Sequence, residues 1–591
     1  MNLCLYILAV AASLLFGVAV YTGLGLLVRR LIGVRDLNLD GLSEAPIIGW
    51  CVGLAALQIW HLFLPVNTAA LALTVGAGIA GLLLSTRSVH RALSAAPRQG
   101  RRGVVVAFVV LVLWLAVHTT NYPKLFDSGL YHATSVKWAY SYPVVPGLSN
   151  LSREFGHNCA YFLYAALLDV GPFVDRFHHL ASGILLASAM LRVCVSGWQL
   201  FGDQKTAKAR HFFDVLFLPL LVYLTVGEYG FGSTPSPDLA LYVLGVMVAS
   251  MLMSLLSSDP LESNSKDPGA PRALAHRFVT VALLAGTGVA IKLSSVGLFG
   301  AVSLLIASLY CLRLRRARKL DVLSAVGVAV VAMAIFVPWT MRSIVLSGYV
   351  GYPSTAIAAP VEWRVPEADA KAYVIRARAE SREFTGDHER VLSDWRWLGP
   401  WLRRMMGPPF DFEVVTPLVL AFVGAPLICL LVRERGARGA PGVVGCIMLV
   451  PLFNLVYWFA MAPDPRHAGA TFWFAGNGAL TLALWNADVR TWRATALSVA
   501  LVLVVMSVKL PDLVLEWRRN TGPIQHKQLE TRTTTSGLDV YVPVGDFRVW
   551  NAPLPCTPYF DPRLRERVPG DLSKGFVLDQ VETALLPRAT P

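Results

Sequence analysis

MNLCLYILAVAASLLFGVAVYTGLGLLVRRLIGVR (1–35) opens on an apolar run and closes on arginines. Residues 1–21 have no positively charged leader and no clear small-residue cleavage site, so the run reads as a retained first helix and not as a removed signal. Arg29, Arg30 and Arg35 follow it. Short basic loops stay on the cytoplasmic side of a membrane, which places the N-terminus outside.

The rest of the chain repeats this pattern. Of its 591 residues, 55% are hydrophobic and 15% charged, with a mean hydropathy of +0.54. A soluble domain is about 45–50% apolar and about 25% charged. The excess must face lipid. Several runs reach the roughly 20 residues needed to cross about 30 Å of hydrocarbon. Each is bounded by Arg, Lys, Pro or Gly and reads as a helix, because lipid leaves no backbone group unpaired. The net charge of +14 would suggest nucleic acid in a soluble protein. Here the basic residues sit in short loops between apolar runs, so orientation accounts for them and no nucleic-acid partner is expected.

Alternating the loops gives about fourteen crossings. After the first come runs at about 46–64 and 66–85, turning at Pro65, and then the basic loop 86–102 with Arg87, Arg91, Arg98, Arg101 and Arg102. A helix at about 103–120 exits to the outer face, and 177–200 returns. The run HNCAYFLYAALLDV (157–170) is too short to span and is placed along the outer interface. A crossing there would put Lys205, Lys208 and Arg210 outside. Further helices are expected at about 212–228, 238–258, 278–293, 295–312, 321–338, 414–432, 441–462, 469–487 and 494–511. Basic cytoplasmic loops fall at 313–319, 433–438 and 488–493, with a linker at 257–271. No internal repeat is evident.

The reading is an all-α polytopic membrane protein of the inner (plasma) membrane in three parts. Residues 1–102 form a three-helix segment and 103–511 a catalytic membrane module with outer loops 121–176 and 339–413. Residues 512–591 form an outer tail. Within the second loop, EADAKAYVIRARAESREF (367–384) reads as a polar or amphipathic helix. In the tail, GLDVYVPVGDFRVW (537–550) alternates as short strands do, so loop and tail together suggest a small α/β cap.

Polar residues of unusual placement are read as gathering on the outer face. Asp127 lies in NYPKLFDSGLYHATSVKWAYSYPVVPG (121–147), just after a helix emerges. Leu130, Val136, Trp138 and Tyr142 mark the apolar side of a short helix lying on the membrane. Asp127 would sit near its N-terminus, where the dipole favours a carboxylate and where Asp is also an ordinary cap. Asp238 lies at the outer end of another helix, and Asp464, Arg466 and His467 at an outer turn. Lys292 lies at a hairpin turn, and Arg342 where a helix exits beside Trp339. Ionisable groups near an apolar zone are functional candidates, although Lys292 and Arg342 are also the kind that snorkel to an interface. Acids can accept a proton or hold a metal, and cations can grip a phosphate. An acid beside phosphate-binding cations suits transfer of a group carried on a lipid phosphate, with the cations stabilising the departing charge.

The chain resembles the GT-C superfamily of membrane glycosyltransferases. FDSGLYHATSVKWAYSYPVVPGLSNL (126–151) looks like the first large outer loop of that family, and PWTMRSIVLSGYVGYPS (338–354) is similar to its helix exit near the lipid phosphate. Uncharacterised bacterial members with a D-x-G-x-Y-H loop match best. Where better-known members carry a Pro-Pro element, this chain has REFGHNCAYF (153–162). The resemblance implies an inverting transferase that moves a sugar from a polyprenyl-phosphate donor to a glycan, lipid or protein acceptor on the extracytoplasmic side. Asp127 would be the general base, with Tyr131, His132, Asp238, Lys292, Arg342, Asp464 and Arg466 binding substrate. A divalent cation (Mg or Mn), held by Asp127 and Asp238 if at all, is left open. A surface-polysaccharide polymerase or ligase, and a lipid-linked sugar flippase or transporter, are the alternatives.

Other signals are read as structural. The glycines of 286–288 and 476–478 fall inside helices, where small residues allow close packing. His178 and His179 begin a helix and are expected at the interface. Asn150 stands in a glycosylation sequon, which means little if the source is bacterial, as the Ala- and Arg-rich composition suggests. Of eight cysteines, Cys4, Cys51, Cys194, Cys311, Cys429 and Cys446 belong to apolar runs. Cys159 and Cys556 would share the outer face, and a bridge between them is left open.

Overall fold

The computed structural model describes residues 3–34, 37–95, 97–202, 208–227, 229–257, 270–317, 322–427, 442–485, 487, 489–507 and 521–579. Cys429, the basic loop 433–438 and most of the 257–271 linker lie outside the described residues. The chain is mostly helical: α1 Leu3–Leu31, α2 Leu39–His61, α3 Thr68–Ala95, α4 Arg98–Thr119, α5 Ala133–Ser141, α6 Tyr161–Leu167, α7 His178–Gly202, α8 Ala209–Val215, α9 Leu218–Val226, α10 Pro237–Leu256, α11 Ala270–Ile291, α12 Val296–Ala317, α13 Val322–Ser347, α14 Glu367–Glu380, α15 Leu398–Met406, α16 Leu449–Met461, α17 Thr471–Ala483 and α18 Val489–Ser507. Among the described residues, 11 helical segments are long and apolar enough to cross a membrane. The count is up to 12 if α15 and the helical stretch 411–427, bent by 88° to each other, form one broken span. Of the further crossings expected, 469–487 holds a helix of 13 residues, while 414–432 and 494–511 run into residues outside the described set.

Close backbone contact organises the first helices. A Cβ on Gly23 would stand 1.9 Å from the Gly78 carbonyl oxygen, and one on Gly49 would stand 1.8 Å from that of Tyr21. Only glycine lets α1 lie this near to α2 and α3, the usual device for packing helices where lipid supplies no hydrophobic drive. At the centre, every residue of α10 is buried.

Three expectations are corrected. The 157–170 run is not exposed to lipid along its helix: α6 is a short helix of seven buried residues, packed against α2 and α5. His178 and His179 are fully buried, and Tyr6 Oη lies 2.6 Å from His179 Nδ1. The polar residues of unusual placement are not confined to one face. At the opposite end of the bundle, Arg192 of α7 is buried between Asp40 of α2, at 2.9 Å, and Asp214 of α8, at 2.8 Å. Arg210 also binds Asp40. Since α2 rises about 1.5 Å per residue from Asp40 to His61, the two ends stand roughly 30 Å apart.

The end that carries Asp127 is capped by small sheets and loops. Strands β1 Tyr349–Gly351 and β2 Ser354–Ala358 form one antiparallel hairpin. In the tail, β3 Leu529–Thr533 pairs with β4 Asp539–Pro543, and β5 Leu564–Glu566 with β6 Phe576–Leu578. The apolar side of α5 faces protein, not lipid. Val136 and Trp138 are buried, and the Trp138 ring meets Phe576 of the tail edge-on at 5.9 Å.

Candidate functional site

Asp127 precedes a single π turn, Ser128–His132, that leads into α5. Such turns recur at functional sites because they re-aim side chains. The Asp127 side chain makes no capping hydrogen bond, so the ordinary cap role is not the one it fills. Its Oδ2 lies 3.4 Å from Arg466 Nη1. The tail fixes the turn from the other side. Trp550 N donates to the Gly129 carbonyl at 2.8 Å. Thr134 Oγ1 donates to the Trp550 carbonyl at 2.9 Å, and Lys137 Nζ to that of Ala552 at 3.0 Å.

Arg466 belongs to the one-turn helix Pro465–Ala468, whose N-cap is Asp464. Asp464 Oδ1 accepts from the Arg466 backbone N–H at 3.1 Å and from Nε at 3.3 Å. Burial would raise the pKa of Asp464, but Arg466 and His467 outweigh it and hold the carboxyl below its usual range. Arg466 is pushed above its usual range, first by Asp464 against the cost of burial, then by Asp127 and Asp238. One guanidinium therefore answers three carboxylates from separate elements.

Asp238, in the first turn of α10, receives Lys292 Nζ at 2.5 Å. Lys292 sits between α11 and α12, where the hairpin turns. Both line a cavity of ≈ 340 Å³ with Tyr131, His157, His467 and Tyr373. The other walls are largely apolar, including Phe162, Ile291, Tyr457 and Trp458. Helix α14 covers one side through Tyr373, Val374, Ala377 and Arg378. The result is an amphiphilic cavity: a charged pair at its base and walls suited to hydrocarbon.

Burial sets the state of the surrounding groups. It pushes His132, His157 and His467 down to about 4, so all three are neutral near pH 7. Tyr131 is raised well above its ordinary value by burial, then by Asp127 and Asp238. His157 Nε2 and Tyr373 Oη lie 2.8 Å apart, which ties α14 to the turn 153–157. Sequence reading passed over His157, Tyr373 and Arg378. The 14-residue polar helix that supplies the last two was legible, but its landing place was not.

Two proposed ligands stand apart from the rest. His132 lies behind Tyr131, its ring 4.5 Å from the tyrosine ring and 5.3 Å from Phe162. Arg342 lines a separate cavity of ≈ 40 Å³ with His61, Glu154 and Asn158. That cavity meets the larger one at His157, Cys159 and Phe162. Arg342 is 4% exposed, with Nε and Nη1 lacking a partner. Asp238 is paired with Lys292 and Asp127 lies beside Arg466, so each carboxylate already faces a cation. No group of three His, Cys, Asp or Glu able to hold a metal occurs among the described residues.

Cys159 and Cys556 are both buried free thiols. Asn150 is 7% exposed and donates to the carbonyls of Trp363 at 2.9 Å and Phe576 at 3.2 Å, so its sequon is built into the cap.

Fold and geometry define a multi-pass membrane protein with a charged, amphiphilic cavity covered on one side by the 339–413 loop. The chain belongs to the family described as domain of unknown function (DUF8201), which matches residues 7–473. No curated protein and no solved structure matches the chain.

Proposed function

We propose that this protein is a GT-C-type glycosyltransferase. It moves a sugar from a polyprenyl-phosphate donor to an acceptor hydroxyl at the extracytoplasmic face of the inner (plasma) membrane. The observation that carries the reading is the contrast among three carboxylates gathered about Arg466, of which Asp238 lines the cavity. The Asp238 and Asp464 side chains are 6% and 7% exposed and cation-bound, whereas that of Asp127 is 32% exposed and meets Arg466 only at 3.4 Å. Asp127 is the acid free to take a proton.

In the proposed step the acceptor oxygen bonds to the sugar's anomeric carbon as the bond from that carbon to the phosphate oxygen breaks. The bonding pair leaves with the lipid phosphate. Asp127 takes the acceptor's proton, and Lys292 offers positive charge to the departing phosphate. The apolar walls suit the lipid's first hydrocarbon units.

The test is Asp127→Asn, purified and folded, assayed with a polyprenyl-phosphate sugar. Loss of a general base costs about 10²–10⁴-fold in turnover. The variant should unfold at the temperature of the parent, since the ion pair between Asp127 and Arg466 is long and part-exposed. Turnover equal to the parent's removes the proposed role.

A further inference from the structure

Helix α15, in the long loop, lies at 88° to the helical stretch 411–427. Gly407, Pro408 and Pro409 stand between the two, where a helix cannot continue. Helices at right angles cannot both run across a membrane. The 411–427 stretch is the apolar one, and Val419, Phe422, Val423 and Leu427 are exposed along it. Helix α15 carries Arg403 and Arg404 in its last turn and fits a position along the membrane plane.

Its depth is set by α16, part of a segment long and apolar enough to span, 444–461. Trp401 Nε1 donates to the Pro463 carbonyl, just past the end of α16, at 2.6 Å. The Trp401 ring meets Phe459 edge-on at 5.6 Å, and Trp395 stacks on Phe459 at 6.3 Å. Residues 395–406 therefore stand level with the end of a span, on the Asp127 side of the bundle.

The side chains of α15 sort by direction. Trp401 and Met405 are buried against the protein. Leu402 and Met406, four residues apart and so on one face, are 44% and 62% exposed, and Trp395 before the helix is 66% exposed. Arg403 is exposed beside them. An apolar strip edged by a cation is what an interfacial helix offers lipid, and an indole is favoured at the level of the headgroups.

We propose that residues 395–406 dock on the lipid leaflet at the Asp127 end of the bundle. Trp395, Leu402 and Met406 enter among the first acyl carbons, and Arg403 reaches the headgroup phosphates. The occupant is lipid because this strip continues the surface of a span that lipid already covers. The docking also seats a wall of the cavity. Arg404 Nη2 donates to the carbonyl of Ser381, the residue after α14, at 2.7 Å, and Arg382 Nη2 donates to that of Ala460 at 2.8 Å. Helix α14 is thus held from the lipid-bound segment. This surface is independent of the sugar-transfer reading.

The experiment uses the full-length protein in phosphatidylcholine vesicles. They hold a small fraction of phosphatidylcholine with a diazirine either near the glycerol or at the end of one acyl chain. After illumination and digestion with trypsin, mass spectrometry locates the adducts. Peptides 391–396 and 397–403 should be labelled several-fold more by the shallow probe than by the deep one. Both should be labelled several-fold more than β3 and β4 of the tail. This readout needs no substitution. Leu402→Asp combined with Met406→Asp, at two exposed positions, should lower the adduct on 397–403 several-fold and leave that on α16 unchanged. The proposal is overturned if the shallow probe labels α16 but these peptides no more than β3 and β4, as a second copy seated on this face would cause. It is also overturned if the deep probe labels them more strongly, or if the double variant keeps the parent's labelling.

Discussion

Gly129→Ala tests whether the tail holds the loop that presents Asp127. The added Cβ would stand 2.5 Å from Trp550 Cε2 and 2.8 Å from Cδ2, with Arg548 Cβ at 2.9 Å. Carbon atoms rest at about 3.5–4.0 Å, so something must move by roughly an ångström. Trp550 is 4% exposed, and its own N–H is bonded to Gly129, so the ring cannot simply swing outward. Overpacking of this kind costs about 1–3 kcal/mol. Trp550→Ala alone should cost about 3–5 kcal/mol through the cavity it leaves. In that background only the approach to Arg548 Cβ remains, and the cost of the alanine at 129 should fall by at least about 1 kcal/mol. The assay is the double-mutant cycle, with denaturant unfolding in mild detergent followed by far-ultraviolet circular dichroism. If Gly129→Ala costs the same with and without Trp550, to within the roughly 0.5 kcal/mol of ordinary additivity, the tail does not clamp the turn.

Lys292→Met should destabilise the protein by about 1–3 kcal/mol, discounted because the lysine side chain is 30% exposed. Adding Asp238→Asn should recover most of that stability, and a double variant as unstable as the sum of the singles would refute the pairing. Stability should also fall with acid. Between pH 6.5 and about 4, the unfolded chain protonates His132, His157 and His467 while the folded chain does not. The unfolded state then binds more protons, so unfolding free energy rises with pH across this window, by about 3 kcal/mol for each histidine. An unfolding midpoint flat from pH 7 to 4.5 would contradict this. Cys159 and Cys556 should resist a water-soluble maleimide in the folded protein and react once it is unfolded, with no shift in mobility on reduction.

The membrane-crossing helices were legible because a span announces itself in a run of apolar residues, and several ends fell within a few residues of the expected ones. The sequence placed Asp238, Lys292, Asp127 and Arg466 at one end of the bundle, but which acid meets which cation is set by packing and came only from the structure. Arg342 shares that end but faces another cavity, since its rotation about α13 depends on packing that no short motif records. The far-end cluster escaped notice for a different reason. Arg192 is a lone charge in an apolar stretch, MLRVCV, and Asp40 and Asp214 resemble ordinary helix-end acids. The available signal was that an arginine inside a span requires partners on other helices. The contacts of Trp550 and Phe576 with the 128–150 region join residues about four hundred positions apart, beyond the reach of periodicity.

That long-range closure has a consequence for biogenesis. The turn beside Asp127 is inserted early, yet the groups that complete the packing around it, at Trp550, Thr557 and Phe576, are translated some four hundred residues later. A nascent chain halted before them leaves Trp138 and the Gly129 carbonyl without their final neighbours. The turn thus reaches its finished packing only once those later residues have been made.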